Sequence, residues 1–423
     1  MKGGITGLAQ CKGRNENSWD EKVTYDNEYI DRFKKEGFWL DIKILFWTIK
    51  KVFISENINE DKMGEDLSDE ESAEMERRKS SESPIFQIKT DIIFWINVYI
   101  TKNEYINSIK INIMAKTDVA NRLIWLKGEI LNVNEALINV LSPTSQFGLN
   151  VFEGIPCYWN DEEKQLYAFR LSDHYDRLIR SAKLIQFDLK YTKDDLQKAL
   201  VDTVKANEYD ENLSVRQTLF VDGFGSWGSD GPVEMFVAPI PRGRTSTEYN
   251  KKGLNCCVTS WRRIIDENLS PRIKCGANYI NSRVGQREAL RNGYDTCLFL
   301  NEVGKISEGP GSCFFMIKDG TLVTSRLTDS VLESITRDTI IKLATEELGL
   351  NFEERTIDRT EVYMADEAFL CGSAMEITPV LSVDRYKIGG GNEGLITHSL
   401  HKAYLDAVKG LNKKRLNWLT PIY

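Results

Sequence analysis

Apolar and polar positions alternate regularly from about residue 122 to the end of the chain. In 171–185 and 193–209 the apolar residues recur every three or four positions, which predicts two amphipathic helices. Ser172 is placed to cap the first of these helices, with Asp173 in its first turn. Residues 215–241 are predicted to form a strand, a glycine-rich loop and a buried strand.

The second half of the chain repeats this mixture of strands and helices. Residues 254–263 have the pattern of a strand, whereas 278–293 and 334–350 have that of helices, the latter ending at its only glycine. Asp319-Gly320 lies between two apolar runs and predicts a hairpin turn. Residues 241–253 are polar and rich in turn formers, which indicates a linker between two α/β domains.

Upstream of about residue 118 the pattern is different. Asn, Ile, Lys and aromatic residues dominate without a helical period, and 60–83 is a charged, serine-rich stretch typical of a disordered acidic linker. We therefore predict an α/β chain divided at these composition changes: an N-terminal extension (1–118), a small domain (119–242), an interdomain loop (243–252), a large domain (253–412) and a C-terminal tail (413–423).

Composition excludes several classes of function. The 423 residues carry a net charge of −8 with a pI near 5.3, unlike the basic surface of a nucleic-acid-binding protein. The apolar stretches 38–54 and 85–100 are interrupted by Asp and Lys and are shorter than a membrane span, and the N-terminus lacks a signal-peptide core. We expect no nucleic-acid partner and no membrane.

The eight cysteines form no CxxC motif and have no metal-binding spacing to the three histidines. This usage predicts reduced thiols in a cytoplasmic protein without a metal site. The adjacent Cys256 and Cys257 are expected in one strand, with their side chains on opposite faces.

Six stretches, in order, resemble the fold-type IV pyridoxal-phosphate-dependent aminotransferases, and most closely the branched-chain amino acid aminotransferases. The resemblance covers about 120–410, roughly seventy per cent of the chain. Each stretch is weak evidence alone, and their common order makes the evidence strong. The stretches are FGLNVFEGIPCY (147–158), FRLSDHYDRLIRSAKLI (169–185), IKCGANYINS (273–282), GYDTCLFLNEVGKISEGPG (293–311), LESITRD (332–338) and ADEAFLCGSAMEITPV (365–380).

The resemblance implies pyridoxal 5′-phosphate (PLP) as cofactor, with Lys274 as the catalytic lysine that forms an imine with it. Such an amine needs desolvated or cationic surroundings in order to be partly deprotonated. Cys275, Gly276 and Ala277 are small enough to let a flat ring approach. A solvated surface lysine is the competing interpretation.

Further cofactor contacts are implied by the matched positions. Glu308 is expected to pair with the pyridine nitrogen, Arg177 to bind the phosphate and Tyr279 to bind the phenolic oxygen. Ordinary alternatives are a solvated turn carboxylate, a basic helix face and a core aromatic. The remaining predicted cofactor positions are Gly311, Leu332, Ser373 and the helix start at Ile335 and Thr336, where amide groups suit a phosphate or are simply capped by Ser334.

The predicted substrate pocket departs from the branched-chain pattern. Arg216 lies in SVRQ instead of Tyr-x-Arg-Pro, and Arg242 and Arg244 stand where the family has an aromatic wall. Arginines of this kind either recognise an acidic substrate or line the entrance. The other predicted substrate contacts are Phe147, Phe152, Gly154, Gly372, Ser373 and Ala374.

The resemblance thus implies a homodimer of two-domain subunits with PLP in the cleft between the domains. The expected reaction is transfer of an amino group between an L-amino acid of branched-chain type and a 2-oxo acid such as 2-oxoglutarate. Alternatives on the same fold are a D-amino acid aminotransferase, an aminodeoxychorismate lyase or a PLP-binding protein without activity. Residues 1–113 are either a lineage-specific extension or an artefact of gene prediction, because Met114 opens a stretch typical of such an enzyme's start.

Overall fold

The computed structural model describes residues 121–243 and 252–423. The predicted extension with its acidic linker lies outside the described residues, as do Arg244 and most of the predicted interdomain loop. Within the described ranges, no helix is long and apolar enough to cross a membrane.

A first, antiparallel sheet of seven strands is built mainly from 123–243. Its strand order is β16-β4-β3-β5-β6-β1-β2. The long central pair β3 and β5 brings Phe152 opposite Thr218 and Gly154 opposite Arg216. The strands are β1 (Leu123–Leu126), β2 (Glu129–Asn132), β3 (Asn150–Asn160), β4 (Gln165–Phe169), β5 (Asn212–Val221), β6 (Val233–Gly243) and β16 (Leu419–Pro421).

Three helices accompany this sheet: α1 (Pro143–Phe147), α2 (Leu171–Leu184) and α3 (Lys193–Asn207). The helix α3 has a capping box in which Thr192 and Asp195 bind each other's backbone amides. The predicted cap of α2 at Ser172 is wrong, because the helix already begins at Leu171 and its N-cap residue is Arg170. Arg170 is held there by ion pairs to Asp173 and to Asp338 of a distant helix.

A second sheet is built from 254–387 and mixes parallel with antiparallel pairs. Its main order is β12-β11-β10-β13-β14-β7-β8, with β9 beside β10 and β15 beside β14. Its strands are β7 (Leu254–Arg262), β8 (Thr296–Leu300), β9 (Glu308–Gly309), β10 (Ser312–Lys318), β11 (Thr321–Thr324), β12 (Phe352–Glu354), β13 (Glu367–Gly372), β14 (Glu376–Val383) and β15 (Tyr386–Lys387). The helices are α4 (Tyr279–Arg291), α5 (Ile335–Glu346), α6 (Arg359–Val362), α7 (Leu395–Val408) and a 3-10 helix (Lys413–Trp418).

Local signals in the second half are confirmed. Asp319 and Gly320 both have positive φ, at 49° and 75°, and they join β10 to β11 in a two-residue hairpin. Cys256 packs in a cluster with Leu298, whereas Cys257 packs in a different one with Phe299, so the two thiols face opposite sides of β7. The seven cysteines in the described ranges are free and buried.

The C-terminal tail is part of the first sheet. Leu419 pairs with Phe169 in the antiparallel ladder of β16 and β4, and Ile422 is buried in the core beneath that sheet. Sequence patterns set residues 413–423 apart because a three-residue strand carries almost no periodic signal. The chain therefore returns to its first sheet after completing the second, and both sheets with their helices form the predicted α/β architecture.

Candidate active site

A cavity of about 510 Å³ lies between the two sheets. Strands β3 and β5 and helix α2 provide one side, and the loop before α4, strands β9 and β10, and the β13–β14 turn provide the other. Most of the residues predicted from sequence are brought together here. The cavity is lined by Phe152, Gly154, Arg177, Arg216, Lys274, Tyr279, Glu308, Gly311, Leu332, Gly372, Ser373 and Ala374.

Lys274 lies in the loop between β7 and α4, half-buried, with its amine inside the cavity. Its Nζ donates a hydrogen bond to Tyr279 Oη over 2.9 Å and lies 5.1 Å from the centre of the Phe152 ring. Its carbonyl accepts the Phe152 amide at 3.0 Å, which fixes the loop to β3. The lysine is therefore held between two aromatic rings rather than in solvent.

Small residues let the loop come this close to β3. A Cβ atom on Gly276 would lie 2.7 Å from Asn150 Oδ1, the atom that accepts the Gly276 amide proton. On the other side, Gly311 has a φ of 137°, and a Cβ atom on Gly372 would lie 3.2 Å from the Gly311 carbonyl oxygen. Backbone therefore forms part of the cavity wall, leaving a slot that a flat ring can enter.

Glu308 is buried at the end of the cavity and is paired with an arginine that sequence reasoning missed. Its Oε1 accepts from Arg263 Nε at 2.9 Å and lies 2.7 Å from Arg263 Nη2, and its Oε2 accepts the Leu332 amide at 3.2 Å. Burial raises the pKa of Glu308 and the Arg263 charge opposes this effect. The carboxylate is thus directed into the cavity with its charge partly balanced.

Arg177 forms a second buried network, also with partners that were not predicted. Its Nε and Nη2 donate to the two carboxylate oxygens of Glu153, each over 2.7 Å, and Nη1 donates to the Glu333 carbonyl at 2.8 Å. His174 Nδ1 lies 2.7 Å from Glu153 Oε2. Burial alone would raise the pKa of Glu153, but Arg177 and His174 hold it well below its ordinary value. Burial lowers the pKa of His174, which keeps its ring neutral.

Four predicted residues lie outside the cavity lining. Ile335 and Thr336 are buried at the start of α5, where Ser334 caps the helix by accepting the Arg337 amide at 3.2 Å. Only their amide groups, which have no partner within the helix, are available to an anion there.

Phe147 and Arg242 also differ from expectation. The Phe147 side chain is 46% exposed at the end of α1, because the helix stops at Gly148 and turns the phenyl ring outward. The Arg242 guanidinium is occupied by the carbonyls of Ser373 and Ala374, at 3.1 and 3.0 Å. Neither side chain reaches the cavity of its own subunit, so the suspected acidic pocket depends on Arg216 rather than Arg242.

Two buried polar atoms in the cavity wall have no hydrogen-bond partner. They are Ser312 Oγ and Asn278 Oδ1, both on residues that line the cavity. Buried polar groups are normally satisfied, so these atoms indicate a polar ligand. A cofactor with a flat ring, a phosphate and further polar substituents fits this combination of unpaired polar atoms, cationic side chains and backbone slot.

Comparison with known proteins settles the family. The sequence model described as amino-transferase class IV matches residues 150–383. The chain belongs to the class IV aminotransferases. It is therefore a PLP-dependent transaminase, as the sequence predicted.

Its relatives cover nearly the whole described region. A probable branched-chain-amino-acid aminotransferase of Aquifex aeolicus is 36% identical over 301 residues, which is 71% of this chain and 96% of the relative. The branched-chain-amino-acid aminotransferase of Escherichia coli K12 is 36% identical over 304 residues, covering 71% and 97%. The crystal structure of the branched-chain amino acid aminotransferase from Thermobaculum terrenum in its PLP form is 42% identical, covers 72% and 99%, and has a TM-score of 0.68.

The extension of this class IV aminotransferase matches a different family. The model described as bacterial sugar transferase matches residues 1–55, which lie outside the described residues.

The neutral buried His174 makes stability depend on pH. Because its pKa is lowered in the folded protein, its contribution is complete above the ordinary histidine value of 6.5 and is lost as the pH falls. We expect the free energy of unfolding of His174→Gln to fall less steeply than that of the wild type below pH 6.5, by up to about 1.4 kcal/mol per pH unit. Urea unfolding across this range measures it.

The control is His398→Gln, since the His398 side chain is 66% exposed. It should reproduce the wild-type slope. Equal slopes for His174→Gln and the wild type would show that His174 does not take up a proton on unfolding.

Proposed function

We propose that this chain transfers an amino group between a branched-chain L-amino acid and a 2-oxo acid such as 2-oxoglutarate. The observation that supports this most directly is Lys274, whose amine lies beside Tyr279 in a cavity that also contains Glu308 and Arg177. The relatives named as branched-chain aminotransferases support the substrate class, and they do not favour a D-amino acid aminotransferase or a lyase.

PLP, when bound, acts as an electron sink for the bonds at the substrate's α-carbon. Arg177 and the amide groups at the start of α5 hold its phosphate, since both present N–H donors to an anion. Ser373 adds its hydroxyl group. Glu308 accepts a hydrogen bond from the protonated ring nitrogen and keeps it charged, while Gly311 and Leu332 flank the ring.

Lys274 is the proposed catalytic residue. Its amine removes a proton from the substrate's α-carbon and delivers it to the neighbouring carbon of the cofactor. Two aromatic neighbours, Phe152 and Tyr279, limit the hydration of this amine. Tyr279 also binds Nζ directly and so fixes its position between the two carbons.

The same pocket can accept both an apolar and an acidic side chain. Phe152 and Gly154 provide an apolar wall, and the Arg216 guanidinium lies 4.1 Å above the Phe152 ring. Within the described ranges, Arg216 has no acidic partner in ion-pair distance. Structures of a branched-chain amino acid aminotransferase from T.th., 32% identical, contain either N-(5′-phosphopyridoxyl)-L-glutamate or 4-methylvaleric acid, so that protein binds both kinds of molecule.

We also propose a cytoplasmic homodimer. The free thiols of all seven described cysteines support a reducing compartment. Phe147 on α1 and Phe224 and Trp227 in the β5–β6 loop are exposed by 46, 74 and 76%. The loop packs on α1, because a Cβ atom on Gly225 would lie 3.5 Å from Pro143. An apolar patch of this kind is typical of an interface.

Lys274→Ala should lower the turnover of leucine with 2-oxoglutarate by about 100- to 10,000-fold, since it removes the group that moves the proton. It should also abolish the change in the cofactor's absorption spectrum when PLP is added to the protein. Lys402→Ala, with a side chain 73% exposed, is the control and should keep both. Turnover that survives Lys274→Ala would refute the proposed function.

Arg216→Met should separate acidic from apolar substrates. Loss of a charged hydrogen bond lowers kcat/KM for glutamate by about 10- to 100-fold, while leucine changes much less. Arg385→Met removes an exposed arginine elsewhere and should leave both unchanged. An equal loss for leucine and glutamate would mean that Arg216 does not select the acidic side chain.

Trp227→Asp should weaken the dimer, because it places a charge in the apolar patch. Sedimentation equilibrium of the full chain measures the mass, which should fall toward that of one subunit. Leu395→Asp, at a position 85% exposed on α7, should leave the dimer intact. A wild-type chain that sediments as a monomer would contradict this part of the proposal.

A further inference from the structure

Arg242 joins the first sheet to the turn between β13 and β14. It lies near the end of β6, where its Nη1 donates to the Ser373 carbonyl at 3.1 Å and its Nη2 to the Ala374 carbonyl at 3.0 Å. Two successive carbonyl groups of the turn are therefore held by one guanidinium group. The side chain is only 12% exposed.

These two hydrogen bonds determine where the neighbouring amides point. A trans peptide unit is planar, and its C=O and N–H bonds point in opposite directions. Arg242 does not line the cavity, whereas Ser373, Ala374 and Met375 do. With the carbonyls of Ser373 and Ala374 drawn toward Arg242, the amides of Ala374 and Met375 are directed to the opposite side, which is the cavity.

The two amides are available to a ligand. Among residues 121–243 and 252–423, neither the Ala374 nor the Met375 amide has an acceptor in hydrogen-bond distance. Successive backbone amides that face one point form an anion-binding nest. A carboxylate is the anion that an amino acid brings to this side of the cavity.

A buried network keeps Arg242 in place. Glu376 Oε1 lies 3.5 Å from Arg242 Nη2 and accepts a hydrogen bond from Tyr158 Oη at 3.2 Å. Tyr158 Oη is in turn 3.2 Å from Tyr404 Oη. Glu376, Tyr158 and Tyr404 are all buried, so the charge of Arg242 is balanced on the side away from the cavity.

We propose that Arg242 is a positioning residue that turns the Ala374 and Met375 amides toward the α-carboxylate of the amino donor. This inference rests on the proposed function for the identity of the anion. Arg242 acts through the turn and does not itself touch the substrate.

The experiment compares three molecules with the same carbon chain on the PLP-loaded protein: leucine, 3-methylbutylamine and 4-methylvaleric acid. The amine lacks the carboxylate, and the acid lacks the amino group. In Arg242→Met, the dissociation constants of leucine and 4-methylvaleric acid should rise by about 10-fold, while that of 3-methylbutylamine stays within about 2-fold. Spectral titration measures the two amines and calorimetry the acid.

Arg242→Lys and Arg385→Met complete the design. Lysine should restore part of the carboxylate affinity, because its ammonium group can hold one of the two carbonyls. Arg385→Met should behave as the wild type. PLP affinity should be unchanged in all three variants.

Two results would overturn the inference. One is an equal loss for all three molecules, which would indicate general damage to the pocket. The other is no loss for either carboxylate. If the wild type converted no amino donor, the proposed function would fail, and the binding of 4-methylvaleric acid would still decide the role of Arg242.

Discussion

The buried ion pair between Glu153 and Arg177 is the interaction on which the arrangement of the cavity depends. Both side chains are almost fully buried, and the carboxylate accepts two hydrogen bonds from the guanidinium group. Removal of one member of such a pair costs about 3–5 kcal/mol, because the other charge is left without a partner in a low-dielectric interior. The pair also leaves Arg177 Nη1 to reach the Glu333 carbonyl, which connects the first sheet to the start of α5.

Charge in the cavity follows from this pairing. Each buried acid takes one arginine: Glu153 binds Arg177, and Glu308 binds Arg263. Within the described ranges, the cations Lys274 and Arg216 then have no acidic partner in ion-pair distance. The cavity is left with surplus positive charge, which suits a phosphate-bearing cofactor and substrates that carry one or two carboxylates.

The sequence predicts those parts of the fold and site whose signals are local. The Asp319-Gly320 hairpin needs only two residues of suitable conformation, and Lys274 lies within a recognisable segment with small neighbours. Arg263 and Glu153 were missed because their partners are 45 and 24 residues away and nothing local marks the pairing. The inward position of Glu153, between Phe152 and Gly154 in a buried strand, was the one available sign.

Arg242 shows why a correct residue can receive the wrong expectation. An arginine in place of an aromatic residue is a reasonable candidate for binding an acidic substrate. Its true partners are backbone carbonyls of a turn 131 residues away, and only the folded chain places them there. A pattern of side chains cannot reveal that the acceptor will be main chain, because every residue carries a carbonyl.

The two anion sites at the cavity are organised by the same device. Arg177 and Arg242 both belong to the first sheet and its helices, and both donate to carbonyls of the second half of the chain. Glu333 precedes the amides at the start of α5, and Ser373 and Ala374 precede the free amides of the β13–β14 turn. Since a held carbonyl fixes its peptide plane, packing of the first sheet against the second orients the donors for phosphate and for carboxylate together. The geometry of both sites therefore depends on the contact between the two halves rather than on either half alone.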